Sequence, residues 1–170
     1  MTSSPPGTEL PPHTPNCFGC GRANRAGLHI RCFTTEDGVR AHVKLEDWHE
    51  GGPGVAHGGI VAAILDDVLG FLMYAVGQPM VTARLEVDYR KPLPLGDELD
   101  VTARVTERTE RKVWAEATIN SAQGVVLAQA RALFVRVKPA HFLHASPRAL
   151  ERIADWQSAG DDAGPGPVGV

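Results

Sequence analysis

Asp66 and Asp67 interrupt an otherwise apolar run, Ile60-Val61-Ala62-Ala63-Ile64-Leu65 before them and Val68-Leu69 after. An ionised carboxylate there costs several kcal/mol unless it faces a polar cleft or a partner. Nine residues before Asp66 stands His57, followed by Gly58-Gly59, where a helix is expected to begin. A helix start offers unpaired backbone N–H groups and the positive end of the macrodipole, and glycine lets a substrate approach that backbone closely. Donors for a developing oxyanion and a carboxylate able to take a proton from water are the parts needed to attack a carbonyl carbon. Paired glycines before a helix can also mark nothing more than a tight turn; the in-helix carboxylate shifts the reading toward chemistry. Neighbouring helix positions point about 100° apart, so only one of the two acids should face the reaction, the other making a structural hydrogen bond or a subunit contact.

Spacing also bears on assembly. Gly59 and Asp66 are seven residues apart, which places them on one helical face but about 10.5 Å apart along the axis. That is long for a single reaction centre, and two antiparallel helices lying side by side would close the gap. The site is therefore expected to straddle the interface of a homodimer, or of a homotetramer built from such dimers.

Other residues offer weaker signals. Thr82 begins the strand after the helix, and its hydroxyl could orient an attacking water or simply satisfy its own strand. Cys17-Phe18-Gly19-Cys20 has the CxxC spacing of a zinc knuckle or redox motif. No second CxxC or His pair follows, and His13 and Cys32 are only loose partners, so the expectation is a tight turn with small thiols, no bound metal and no cofactor. His49 could reach the pocket, although loop histidines are more often exposed.

The elements that must position these groups follow from patterning. Leu28–Phe33 and Val39–Leu45 alternate in polarity around Glu36-Asp37-Gly38 and read as a hairpin. Gly51-Gly52-Pro53-Gly54 is expected to hold no regular structure. The helix from His57 to about Val76 is apolar on nearly every face and must be buried. Val81–Arg90, Glu98–Glu107, Lys112–Ser121 and Val125–Val137 then read as four strands of an antiparallel meander. A hairpin, one apolar helix and four strands do not alternate as a doubly wound fold does, so the expected class is α+β, a curved antiparallel sheet around a long central helix.

Composition narrows the function classes. At 170 residues, one domain is the natural prior. We expect a poorly structured segment over 1–16, a folded domain over 17–140, and an extension over 141–170 with room for a short helix before a Gly- and Pro-rich tail. Lys and Arg are spread among acids with a net charge of −3, which argues against a nucleic-acid binder. The opening residues lack a basic segment followed by an apolar run, and the longest apolar stretches are broken by acids and arginine, so neither export nor membrane insertion is expected. Three cysteines in a chain with an ample apolar core suit a reducing, cytoplasmic setting.

Taken together, Pro53-Gly54-Val55-Ala56-His57-Gly58-Gly59, Asp66, Thr82 and Asp88-Tyr89-Arg90-Lys91-Pro92-Leu93-Pro94-Leu95-Gly96 resemble the PaaI-like branch of hotdog-fold thioesterases. Cys17-Phe18-Gly19-Cys20-Gly21 and Asn24-Arg25-Ala26-Gly27-Leu28 extend the likeness, which covers about residues 17–137. The resemblance implies hydrolysis of an acyl-CoA-type thioester. It implies Asp66 rather than Asp67 as general base or nucleophile, with Gly58 N–H, assisted by His57, as oxyanion donor from the other subunit. It also implies substrate contacts at Gly59 and CoA-phosphate contacts at Arg90 and Lys91, although such a dipeptide is otherwise a solvated pair. Some members carry Asn six residues before the motif's histidine, where this chain has Gly51. The same fold hosts non-catalytic acyl-CoA sensors or carrier partners and dehydratases; the in-helix Asp66 argues against the first, and the tie of His57 to Gly58-Gly59 against the second.

Overall fold

The computed structural model describes residues 5–138 and 140–143. Its frame is a six-stranded antiparallel sheet built from β1 (Arg31–Thr34), β2 (Gly38–Lys44), β5 (Met80–Tyr89), β6 (Glu98–Arg108), β7 (Lys112–Ser121) and β8 (Val126–Arg136). Helix α1 (Gly58–Gly70), continued after a break at Phe71 by α2 (Leu72–Val76), packs across it. This is the hotdog arrangement the sequence led us to expect.

Period-two alternation turns one face of each strand toward α1. Val39, Ala41 and Val43 of β2, Leu99, Val101 and Ala103 of β6, Val113, Ala115, Ala117 and Ile119 of β7, and Ala128, Ala130, Ala132 and Phe134 of β8 are all buried. Alanines crowd the middle of this face, leaving room for Val61, Ile64, Leu65, Val68 and Leu69 of the helix. By length and composition alone the 19-residue run Gly58–Val76, of mean hydropathy 1.9, could cross a bilayer despite its two acids. Its packing against the sheet makes it a core helix instead.

Several sequence expectations need correction. The four later strands do not form a simple meander: the order is β1-β2-β6-β7-β8-β5, with β5 on the far edge paired to β8 and β6 paired to β2. The Pro92–Asp97 connection thus carries the chain across the sheet rather than around a hairpin. The first strand begins at Arg31, not Leu28, because His29 sits at φ 51°, a left-handed conformation that interrupts extended backbone. Leu28 and Ile30 instead donate their N–H groups to the carbonyls of Phe18 and Gly19. Gly51-Gly52-Pro53-Gly54 is not irregular throughout; β3 (Glu50–Gly52) and β4 (Val55–Ala56) form a small hairpin turned at Pro53-Gly54.

The largest correction concerns the N-terminal segment, expected to be poorly structured. Residues 5–16 lie along the sheet edge: Leu10 N–H donates to Cys32 O at 2.9 Å, Gly7 N–H to Thr34 O at 2.8 Å, and Glu9 bridges to Phe33. Leu10 is buried, and the Glu9 carboxylate takes ion pairs from Arg22 and Arg31. Proline content suppresses helix but not edge pairing. Of the 141–170 extension, only the end of the short helix α3 (Ala140–Leu143) is described; the rest lies outside the described residues.

Candidate active site

His57 is the N-cap of α1, with extended backbone, and its ring Nδ1 accepts the Gly59 N–H at 2.9 Å. Its own carbonyl takes the N–H groups of Ile60 and Val61. Gly59 N–H is therefore occupied by the cap, whereas Gly58 N–H has no acceptor among the described residues; a Cβ on Gly58 would lie 3.6 Å from the Tyr89 ring. Tyr89, which sequence reasoning passed over, donates its hydroxyl to Gly58 O at 2.9 Å and so holds the Gly58–Gly59 peptide, the one whose N–H His57 caps. Its aromatic character at a strand end was the available signal, overshadowed by the charges that follow it.

Behind the cap, Gly51 packs so closely that a Cβ on it would lie 2.4 Å from His57 Cα. No side chain fits there, which explains physically why glycine stands where some relatives have Asn. His49 is buried rather than exposed: its ring accepts Glu46 N–H at 3.0 Å, and its carbonyl takes His57 N–H at 2.8 Å. It positions the helix start and does not enter the groove.

Asp66 is half-buried, two turns along the helix from the cap. Thr82 donates its hydroxyl to Asp66 Oδ1 at 2.9 Å. A β-bulge makes this contact possible. In the β5–β8 ladder, Thr82 pairs with Phe134 and Arg84 with Leu133, leaving Ala83 as the extra residue. Directly opposed residues share a sheet face, and Phe134 is buried. Strict alternation from the inward Leu85 would turn Thr82 outward; the extra residue resets the parity and aims it at α1. The hydroxyl is thus engaged with the carboxylate rather than with its own strand.

Arg90 and Lys91 line a groove of about 270 Å³ with Val55, Gly58, Tyr89 and Pro92. Arg90 also pairs with Asp88 at 3.2 Å on the exposed surface. Gly58, Arg90 and Lys91 are therefore gathered at one end of α1. Asp66 and Thr82 lie at the other, about 12 Å further along the axis for an eight-residue rise. Along α1, Gly59, Ala62, Ala63 and Asp66 remain only partly covered in the single chain, so the helix expected to be buried all round keeps an open stripe on this side.

Asp67 faces the other way and is 8% exposed. Its Oδ1 lies 3.2 Å from His13 Nδ1 and accepts from the Cys17 thiol at 3.3 Å, so the expected structural hydrogen bonding is present. Burial raises the Asp67 carboxyl pKa, an effect that the hydrogen bond to His13 opposes. Burial disfavours the charged His13 ring, but hydrogen bonds to Asp67 and Cys17 outweigh it and raise the ring pKa to about 9. The thiols split: the hydrogen bond from Cys20 lowers Cys17, and the same bond raises Cys20. His13 is thus a true neighbour of the CxxC turn. Asp67, 47 positions beyond Cys20, completes a group of four that no local spacing reveals. Cys32, the other loose candidate, is not among them.

A family model described as the thioesterase superfamily matches residues 53–128, the span from the Pro53 turn through β8's first residues. The chain is 32% identical over 100 residues to PA0474 of Pseudomonas aeruginosa, which is named as an esterase, covering 55% of this chain and 75% of that protein. Acyl-coenzyme A thioesterase THEM4 of Rattus norvegicus is 37% identical over 91 residues, covering 53% of this chain but only 39% of its own length. Among solved structures, RHA08564, described as a thioesterase superfamily protein, superposes with a TM-score of 0.67 at 32% identity, covering 71% of this chain and 60% of that one. The chain belongs to the thioesterase superfamily. It spans only about two fifths of the THEM4 proteins it resembles.

Proposed function

We propose that the protein hydrolyses acyl-CoA-type thioesters at a site shared by two copies of the chain. The observation that carries this reading is the Asp66–Thr82 contact: a carboxylate held on the open side of a core helix by one hydroxyl, with its second oxygen left to receive a proton. Asp66 takes a proton from water as the water oxygen bonds to the thioester carbon. The carbonyl electrons move onto oxygen, where the Gly58 N–H of the other copy stabilises them; collapse expels the CoA thiolate, which takes up the proton. The products are a carboxylic acid and a free thiol.

The 12 Å separation within one helix and the partly covered stripe of Gly59, Ala62 and Ala63 favour an antiparallel second helix on this face. His57 assists by capping Gly59, and Thr82 acts by orienting Asp66. Arg90 and Lys91 offer charge-assisted hydrogen bonds to CoA phosphates at the groove's mouth. The names of the acyl-coenzyme A thioesterases among the relatives support CoA thioesters as the substrate class. The test is a panel of acyl-CoA thioesters varied in chain length and aromaticity, with free thiol as readout and sedimentation run alongside. Turnover by a dimer or tetramer is expected. Tight acyl-CoA binding without turnover, or an active monomer, would overturn the reading.

A further inference from the structure

The cluster on the opposite side of α1 has no part in thioester hydrolysis, yet its four donors converge. His13 Nδ1, the Cys17 and Cys20 sulfurs and a carboxylate oxygen of Asp67 all lie within 4.8 Å of one another. The individual separations are 3.2 Å from His13 Nδ1 to Asp67 Oδ1, 3.3 Å from Cys17 Sγ to Asp67 Oδ1, and 3.3 Å from Cys20 Sγ to His13 Nδ1. Tetrahedral zinc, with bonds of about 2.0–2.2 Å to N and O and about 2.3 Å to S, needs ligand–ligand edges of roughly 3.3–3.6 Å for these pairs. These three edges are thus within about 0.3 Å of a tetrahedron's, and the other three are no longer than 4.8 Å.

Two observations point to a ligand rather than a self-satisfied hydrogen-bond cluster. Asp67 Oδ2, on the carboxylate that meets the cluster, is buried with no hydrogen-bond partner among the described residues, which is costly for a polar atom of this kind. The donor set is also that of a metal centre: two sulfurs, a carboxylate oxygen and a ring nitrogen converge, and His13 is the only cationic partner of Asp67 among the described residues. A dication bound by two thiolates, a carboxylate and a neutral imidazole would leave a net charge of only −1.

The backbone is shaped to hold this convergence. A Cβ on Gly19 would lie 2.1 Å from Asp67 Cγ, and one on Gly21 would lie 2.3 Å from Cys17 N. Only glycine lets the turn close on the helix and on itself. The His13 peptide N–H points at Cys20 Sγ at 3.3 Å, a contact that favours thiolate.

We propose that His13, Cys17, Cys20 and Asp67 bind one zinc ion as a closed structural centre that fastens the N-terminal segment and the CxxC turn to α1. Binding forms two Zn–S bonds, one Zn–N bond and one Zn–O bond. The two thiol protons, and the Nδ1 proton of the His13 ring, are released to solvent, and nothing is oxidised or reduced. With four protein ligands the ion has no open position, which distinguishes it from a catalytic centre. The expectation of no bound metal rested on the lack of third and fourth ligands near the CxxC; the fold supplies them from upstream and from the helix.

The experiment uses the full chain purified in reducing buffer with zinc in the growth medium. Elemental analysis should find about one zinc per chain. Cobalt loaded after chelation should give the visible d–d bands of a tetrahedral site and near-ultraviolet sulfur-to-cobalt absorption. Cys32→Ser should keep both signals, while Cys17→Ser with Cys20→Ser should lose them, and His13→Ala or Asp67→Asn should weaken cobalt affinity at least about tenfold. Should those variants fail to fold, the cobalt spectrum of the unaltered chain still decides. Reduced protein with both thiols titratable that takes up less than about a tenth of an equivalent of either metal would overturn the proposal. So would a Cys17–Cys20 disulfide that re-forms in preference to zinc uptake.

Discussion

Asp66 and Asp67 are adjacent in sequence and opposite in setting. Asp66 lies on the open side of α1 with a single hydroxyl for company. Asp67 is enclosed by His13 and Cys17 under a turn that touches its side chain closely enough to exclude a Cβ. One residue step, about 100° of helix, separates a carboxylate on a partly open face from one enclosed between two segments. A buried acid in an apolar helix therefore signals a partner or a reaction, and only the packing around it tells which. Substitutions on the two sides should fail in different ways.

The largest effect is expected on the Asp66 side. Asp66→Asn keeps shape and hydrogen bonding but removes the base, so turnover should fall about 10²–10⁴-fold. Binding of a non-hydrolysable substrate analogue should stay within about tenfold, and the melting temperature should hardly move. Steady-state kinetics, calorimetric titration and thermal melting on the same preparation check this. Near-parent turnover would end the general-base assignment.

The Asp67 side should break in stability instead. Gly19→Ala places a methyl where Asp67 Cγ now lies, and overpacking of this kind typically costs about 1–3 kcal/mol. Denaturant titration should show a lower midpoint, with activity per folded molecule retained once allowance is made for the unfolded fraction. A variant as stable as the parent would mean that the turn does not close on the helix as described.

Thr82→Ala tests whether the bulged strand serves the carboxylate. Losing one hydrogen bond to a charged group is worth about 1.5–3 kcal/mol at most in a buried setting, and less at this exposed one. A fall of about 3–30-fold in kcat with KM little changed is expected, and Thr82→Ser should restore most of it. A change confined to KM would make Thr82 a substrate contact instead.

How far these features could be read from sequence depends on whether they are local. The helix start at His57-Gly58-Gly59, the exceptional Asp66 and the strand alternation are local patterns, and the structure keeps them. The strand order was not legible, because alternation says which face a residue takes but not which strand lies beside it. Thr82's direction depended on a one-residue bulge that reverses parity without any change of composition. The ordering of residues 5–16 and the fourth partner of the CxxC turn arise from contacts across 22 positions, as between Glu9 and Arg31, up to 54, as between His13 and Asp67, that no short window along the chain contains. Gly51 shows the reverse case: a departure from the family pattern that is puzzling in sequence and simple in space, since His57 Cα occupies the room a side chain would need.

The smallest effect belongs to Tyr89, which joins the helix start to the groove. Its hydroxyl donates to Gly58 O at 2.9 Å, while its ring, 55% exposed, forms one wall beside Arg90 and Lys91. Tyr89→Phe retains the wall and removes only the hydrogen bond, a loss of about 0.5–1.5 kcal/mol. The bonded carbonyl lies in the Gly58–Gly59 peptide, one plane beyond the Gly58 N–H; if holding that plane steadies the helix start that presents the Gly58 N–H to the oxyanion, the loss appears in kcat as a fall of about 2–10-fold, since the donor matters most in the transition state. KM should be nearly unchanged because the ring still lines the groove. Arg90→Ala with Lys91→Ala should show the complementary pattern: KM raised for CoA thioesters, kcat preserved, and little effect on a short thioester lacking the nucleotide. Measuring all three substitutions against both substrates separates orientation of the helix start from recognition of the phosphates. A Tyr89→Phe enzyme altered only in KM would move the residue from the oxyanion side of the site to the binding side.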